Sequence, residues 1–137
     1  MFLAISSATA AVVQNSKDPF AFPVFNPCTG EEVFVEGTVH IVISSVEKDG
    51  VITDRVRLNA HGVGYGWTTG DTYIWNDTIH EDVTIGPWPQ FMIINDQHLR
   101  LISKGSSSNG RVKAGFAFKI DADGNASFEG FSDLTCQ

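Results

Sequence analysis

Residues 60–71 read AHGVGYGWTTGD. Gly62, Gly64 and Gly66 recur at every second position, and Gly70 follows. Two functions use glycine this densely. A potassium-selective filter needs four copies of its loop, each held between membrane helices. A phosphate-cradling loop leads from a strand into a helix N-terminus. Neither setting is present, because Trp67 and a turn follow Gly66 and no apolar run is long enough to cross a membrane as a helix. The stretch reads as a strand. Val56, Leu58, Ala60 and the three glycines share one face, while Arg57, Asn59, His61, Val63, Tyr65 and Trp67 share the other. Bare positions on one face let a strand coil sharply, as barrel corners require. They also leave room for a ligand or a neighbouring ring.

The same period extends along the chain. Strand-like runs are expected at about 32–47, 51–67, 72–85, 90–103, 111–120 and 126–136, separated by KDG, TGD, GPWP, KGSSSNG and DADGN. Runs joined by hairpin turns, with no room for crossover helices, form an antiparallel meander. The expected fold is all-β, an antiparallel up-and-down β-barrel, with a β-sandwich as the alternative. Val112, Ala114, Phe116, Phe118 and Ile120 form an apolar face opposite Arg111, Lys113 and Lys119. That basic row argues against insertion into a membrane as a barrel. Residues 33–43 and 91–102 are partly apolar on both faces, which suggests an outer surface covered either by self-association into a homo-oligomer or by a packed N-terminal arm.

A chain of 137 residues is expected to hold one domain, here 27–137, preceded by an arm over 1–26. Formal charge is −7, and the nine Lys and Arg are scattered singly, so nucleic acid is not an expected partner. Cys28 and Cys136 lack zinc spacing. They are either a disulfide closing the domain end to end or two free thiols. FLAISSATAAVV near the N-terminus, with an A-x-A-like site at Ala8–Ala10, reads as the remnant of an export signal or as an extra strand. Together with the cysteines it points to a secreted, extracellular or periplasmic protein.

The candidate site is a ligand pocket. Tyr65, Trp67, Tyr73 and Trp75 would wall it, and Arg57, His61, His98 and Arg100 would orient a polar group of the ligand. The alternatives are ordinary cross-strand packing for the aromatics and water-facing positions for the histidines. DADGN lacks the acidic ligands of a calcium loop and reads as a turn. No nucleophile elbow or metal set is legible, so the expected ligand is a small apolar or amphipathic molecule bound without a cofactor. A cofactor-free cyclase or isomerase working by shape is the catalytic version of this reading.

NPCTGEEVFVEGTVHIV, LNAHGVGYGWTTGDTY and HLRLISKGSSSNGRVKAGFAFKIDADGNASFEGFSDLTC resemble motifs of a group of small secreted bacterial proteins of unassigned activity. The resemblance spans about Asn26 to Cys136. By architecture the expected barrel is also similar to lipocalin-like and allene-oxide-cyclase-like barrels, which bind apolar small molecules. The competing function is structural, with the apolar N-terminal arm adding as a strand to a neighbouring subunit.

Overall fold

The computed structural model describes residues 9–137. The segment before Thr9, with most of the proposed signal remnant, lies outside the described residues. Among these, seven strands form one antiparallel sheet in chain order: β1 (Thr9–Asn26), β2 (Glu31–Lys48), β3 (Val51–Gly66), β4 (Thr72–Ile85), β5 (Phe91–Ser103), β6 (Gly110–Ile120) and β7 (Ala126–Cys136). The expected arm supplies β1, paired with β2 along nearly its whole length around one bulge at Val12/Gln14. There is a single sheet, so the sandwich alternative is not adopted. The sheet is not closed either, since β1 and β7 do not pair.

The strand count gives a reason for the open edges. In an up-and-down meander of seven strands the first and last run the same way. Closure would therefore need a parallel ladder between an 18-residue and an 11-residue strand. The free edge of β1 is also poor in donors. The Trp67 N–H donates to the Glu32 carbonyl at 2.9 Å, so even positions of β2 bond to β3 and odd ones to β1. Their β1 partners are even, which turns Pro19 and Pro23 toward the free edge. Proline fits there without breaking the ladder and removes the N–H that another strand would need.

The sheet curls strongly at one end. Phe20, Gly37, Gly62, Trp75 and Leu101 lie in one cross-strand row on the concave face. A flat sheet would hold β1 and β4 about 14 Å apart, yet the Phe20 and Trp75 rings lie 5.0 Å apart and Phe22 meets Trp75 edge-on at 5.6 Å. Between them on this row, Gly37 and Gly62 bring the β2 and β3 backbones into close approach. A Cβ on Gly62 would overlap the Glu36 carbonyl, and one on Gly37 the His61 carbonyl. Val33, Val35, Ala60, Tyr73, Trp75 and Leu101 form the buried core here, with Phe20, Val24, Val39, Leu58 and Leu99 packed around it.

A polar knot locks this end. Glu31 is buried, and its carboxylate accepts from the Thr68 and Thr69 N–H groups at 3.0 and 2.8 Å, from Thr69 Oγ1 and from Tyr73 Oη at 2.8 Å. Burial alone would raise the Glu31 pKa, but these hydrogen bonds outweigh it and the carboxyl is lowered. Its stabilising contribution is therefore present above the ordinary carboxylate range and is lost as pH falls through the lowered value. Asp71 accepts from the Ser107 N–H and hydroxyl, tying the β3–β4 turn to the β5–β6 loop. Cys28, in the β1–β2 turn, is disulfide-bonded to Cys136 at the end of β7, with Cα atoms 5.5 Å apart. The bond joins the first hairpin to the last strand where no backbone ladder does. For the enclosed 108-residue separation the chain-entropy model allows about 4.7 kcal/mol. At the opposite end, Asp49 and Gly50 form the β2–β3 turn with φ of 53° and 77°, as the Asp-Gly pair predicts. DADGN turns β6 into β7, with Asp121 Oδ1 accepting the Asp123 and Asn125 N–H groups.

Because the Gly62 contact is with backbone, which cannot move aside alone, Gly62→Ala is expected to cost about 2–3 kcal/mol in urea unfolding. The same change at Gly50, where nothing crowds the position, should cost only the strain of a positive φ. Equal losses at both sites would show that the close approach does not matter.

Candidate binding site

The concave face is apolar at its locked end and becomes polar half-way along. On β4 its row runs Tyr73, Trp75, Asp77, Ile79, Glu81, and β5 sets Leu101, Leu99, Gln97 and Asn95 against the last four. Asp77, between Ala60 and Leu99, is only 8% exposed. Gln97 Nε2 donates to both its oxygens at 3.1 Å. Burial pushes the Asp77 pKa up, although Gln97 and the Thr78 N–H favour the charged form. Asn95 Nδ2 donates to Glu81 Oε2 at 2.9 Å. Two carboxyl–amide pairs thus cross an otherwise apolar trough. Next to Asp77 on the same strand face, the buried Trp75 indole carries an Nε1–H with no acceptor among the described residues. Leaving a buried donor unpaired costs about 1–3 kcal/mol, and such groups are ordinarily satisfied. An acceptor oxygen at this point would remove that cost.

The residues expected from the sequence are split between the two faces of the sheet. Trp75 lies inside, as does Tyr73, whose ring is core and whose hydroxyl is committed to Glu31. Arg57, His61, Tyr65, His98 and Arg100 lie on the convex outer face. Trp67 follows the end of β3 and is 85% exposed. Of these outer residues His98 and Arg100 share a depression of about 470 Å³ with Asn59, Asn76, Thr78, His80 and Asp96, which Arg57, His61 and Tyr65 do not line. Arg57 is held by Asp82 at 2.9 Å and by the Val56 and Glu81 carbonyls. His98 Nε2 lies 3.5 Å from Asp96. Arg57 and Asp82 are both well exposed, so their ion pair contributes little.

The interior polar residues Asp77, Glu81, Asn95 and Gln97 were not among the sequence-derived candidates. Their signal is a polar residue on the apolar beat of a strand: Asp77 falls between Trp75 and Ile79, and Asn95 and Gln97 between Ile93 and Leu99. Among the described residues no cluster of three or more His, Cys, Asp or Glu is placed to hold a metal ion.

No protein-family model, curated protein or solved structure matches this chain.

A carboxyl with a raised folded-state pKa stabilises the fold most below its unfolded value, about pH 4, and loses that contribution as pH rises through the raised value. Asp77→Asn removes the charge and keeps the shape. The difference in urea midpoint, variant minus wild type, should therefore increase between about pH 4 and pH 7. A flat difference would mean that Asp77 titrates as it does in the unfolded chain.

Proposed function

We propose that this is an exported binding protein that holds a small amphipathic molecule in the trough of its half-barrel. The apolar part of the ligand lies along Leu58, Ile79 and Leu99, and an oxygen of its polar end accepts from Trp75 Nε1 beside the Asp77 carboxyl. The unpaired Trp75 donor, next to a buried carboxyl in a setting where neighbouring polar groups are satisfied, carries this reading. The disulfide fits an oxidising, extracellular or periplasmic setting. A carboxyl whose pKa burial raises is also the kind of group that a cofactor-free isomerase or cyclase on this site would use to pass a proton. Trp67 and Trp88 are exposed and Trp75 is buried, so a Trp67→Phe/Trp88→Phe background isolates the interior indole. Dodecanoate is expected to shift its emission saturably, whereas dodecane should not. Asp77→Asn keeps a donor beside Trp75 and removes a like charge, so it should leave dodecanoate binding at pH 7 unchanged or tighter. Unchanged emission and an unchanged thermal midpoint up to the micelle limit would sink the proposal.

A second reading, self-assembly, is favoured by β7. The strand is exposed on both faces, including Phe128, Phe131 and Leu134, and its outer edge has no proline. Asn109 and Gln137 exchange both backbone hydrogen bonds, so the even positions of β7 turn their N–H groups to the free edge. Ser132→Pro would remove one such donor without touching the ladder to β6. If copies pair through β7, light scattering should show the variant at half the wild-type mass. A wild type already monomeric at about 100 μM, a weak-association concentration, would exclude this mode.

A further inference from the structure

The outer face of β3–β6 gathers charge of the wrong sign for an acidic chain. Arg55, Arg57, Arg100, Arg111, Lys113 and Lys119 all project there, six of the nine Lys and Arg, against Asp82 and Asp96 among sixteen acidic residues. In sequence these cations are scattered, and the strand register brings them together. Arg100 stands directly opposite Arg111. Like charges in directly opposed positions destabilise a sheet. Asp82 is occupied by Arg57, and Asp96 faces His98. Lys113 has Asp133 of β7 directly opposite it, whereas Arg100 and Arg111 make no ion pair with a carboxylate among the described residues.

The geometry points to this face as a second binding site, whose ligand is an acidic polysaccharide. An anionic group between Arg100 and Arg111 would turn a repulsive cross-strand pair into charge-assisted hydrogen bonds, with the guanidinium groups suited to carboxylate or sulfate. Beside these cations lie Asn59 of β3 and Asn76 and Thr78 of β4, neutral donors and acceptors lining the depression of about 470 Å³. Such groups match sugar hydroxyls between acidic substituents. Single-stranded nucleic acid would want aromatic side chains for its bases. Within the block from Arg57 to His61 on β3 across to Lys113 on β6, this face carries no Phe, Tyr or Trp. The site is independent of the trough, which lies on the other side of the sheet.

The test uses the whole chain, with dextran sulfate, polygalacturonate, neutral dextran and a single-stranded DNA of matched charge as probes, at about 50 mM salt so that screening is modest. At least one acidic polysaccharide should bind and neutral dextran should not. The sulfated and carboxylated arms report which acid is preferred. The double substitution Arg100→Ala/Arg111→Ala should weaken that binding by roughly ten-fold or more, through loss of two charge-assisted contacts. It should leave the thermal midpoint unchanged or raised, because the opposed charges are gone. Lys17→Ala/Lys48→Ala removes the same net charge elsewhere and should change binding by less than about two-fold, the size of a screened long-range effect. The proposal is overturned if neither acidic polymer binds, if both double variants lose binding equally, or if the DNA binds as tightly as the polysaccharides.

Discussion

Everything at the locked end of the molecule depends on two backbones coming close enough to exclude side chains. Gly37 and Gly62 face each other across β2 and β3, and neither could carry a Cβ without overlapping the opposite strand. On the same cross-strand row Phe20 and Trp75 meet with their rings 5.0 Å apart, and the sheet bends around that contact to create an inside. Without that bend the row Val33, Val35, Tyr73 and Leu101 would be one face of a flat ribbon open to water. The core, the trough and the meeting of Cys28 with Cys136 all follow from it.

The polar knot and the trough divide the interior into two regimes. At the locked end every carboxylate oxygen of Glu31 is satisfied by fixed donors, and the charge is favoured there despite burial. Further along, Asp77 has only a single amide side chain and one backbone donor, and burial prevails. The pKa values of two carboxyls on one concave surface thus shift in opposite directions because they differ in how many donors surround them. Divergent environments of this kind separate structural acids from those available for binding or proton transfer.

Period-2 alternation and turn chemistry made the strands legible almost to the residue. The runs at 72–85 and 126–136 coincide with β4 and β7, and Asp49–Gly50 turns as its type requires. The row Gly62, Gly64 and Gly66 was legible as glycine on one strand face, whereas the close approach of Gly62 to Gly37 depends on a pairing with β2 that the chain order does not display. The open edges were harder to read, because closure depends on strand parity and on the N-terminal segment that supplies β1. The expected pocket drew residues from both faces of the sheet. Tyr73 and Trp75 alternate with Asn76 in phase, but which phase points inward depends on register with β3, and register is a long-range property. For the same reason six scattered cations could look unremarkable along the chain and still share one surface.

The two edges of this sheet are unequal, and that limits how copies can be arranged. Extending the sheet from molecule to molecule in one direction would require each β7 to lie against the β1 of the next, and Pro19 and Pro23 interrupt the donors along that side. Growth of a filament by head-to-tail stacking is therefore obstructed at every step, whereas a symmetrical meeting of two β7 edges uses up the sole receptive side and stops. Two prolines, at positions where they cost the fold no hydrogen bond, thereby act as a terminator against cross-β polymerisation in a chain that is otherwise almost entirely strand.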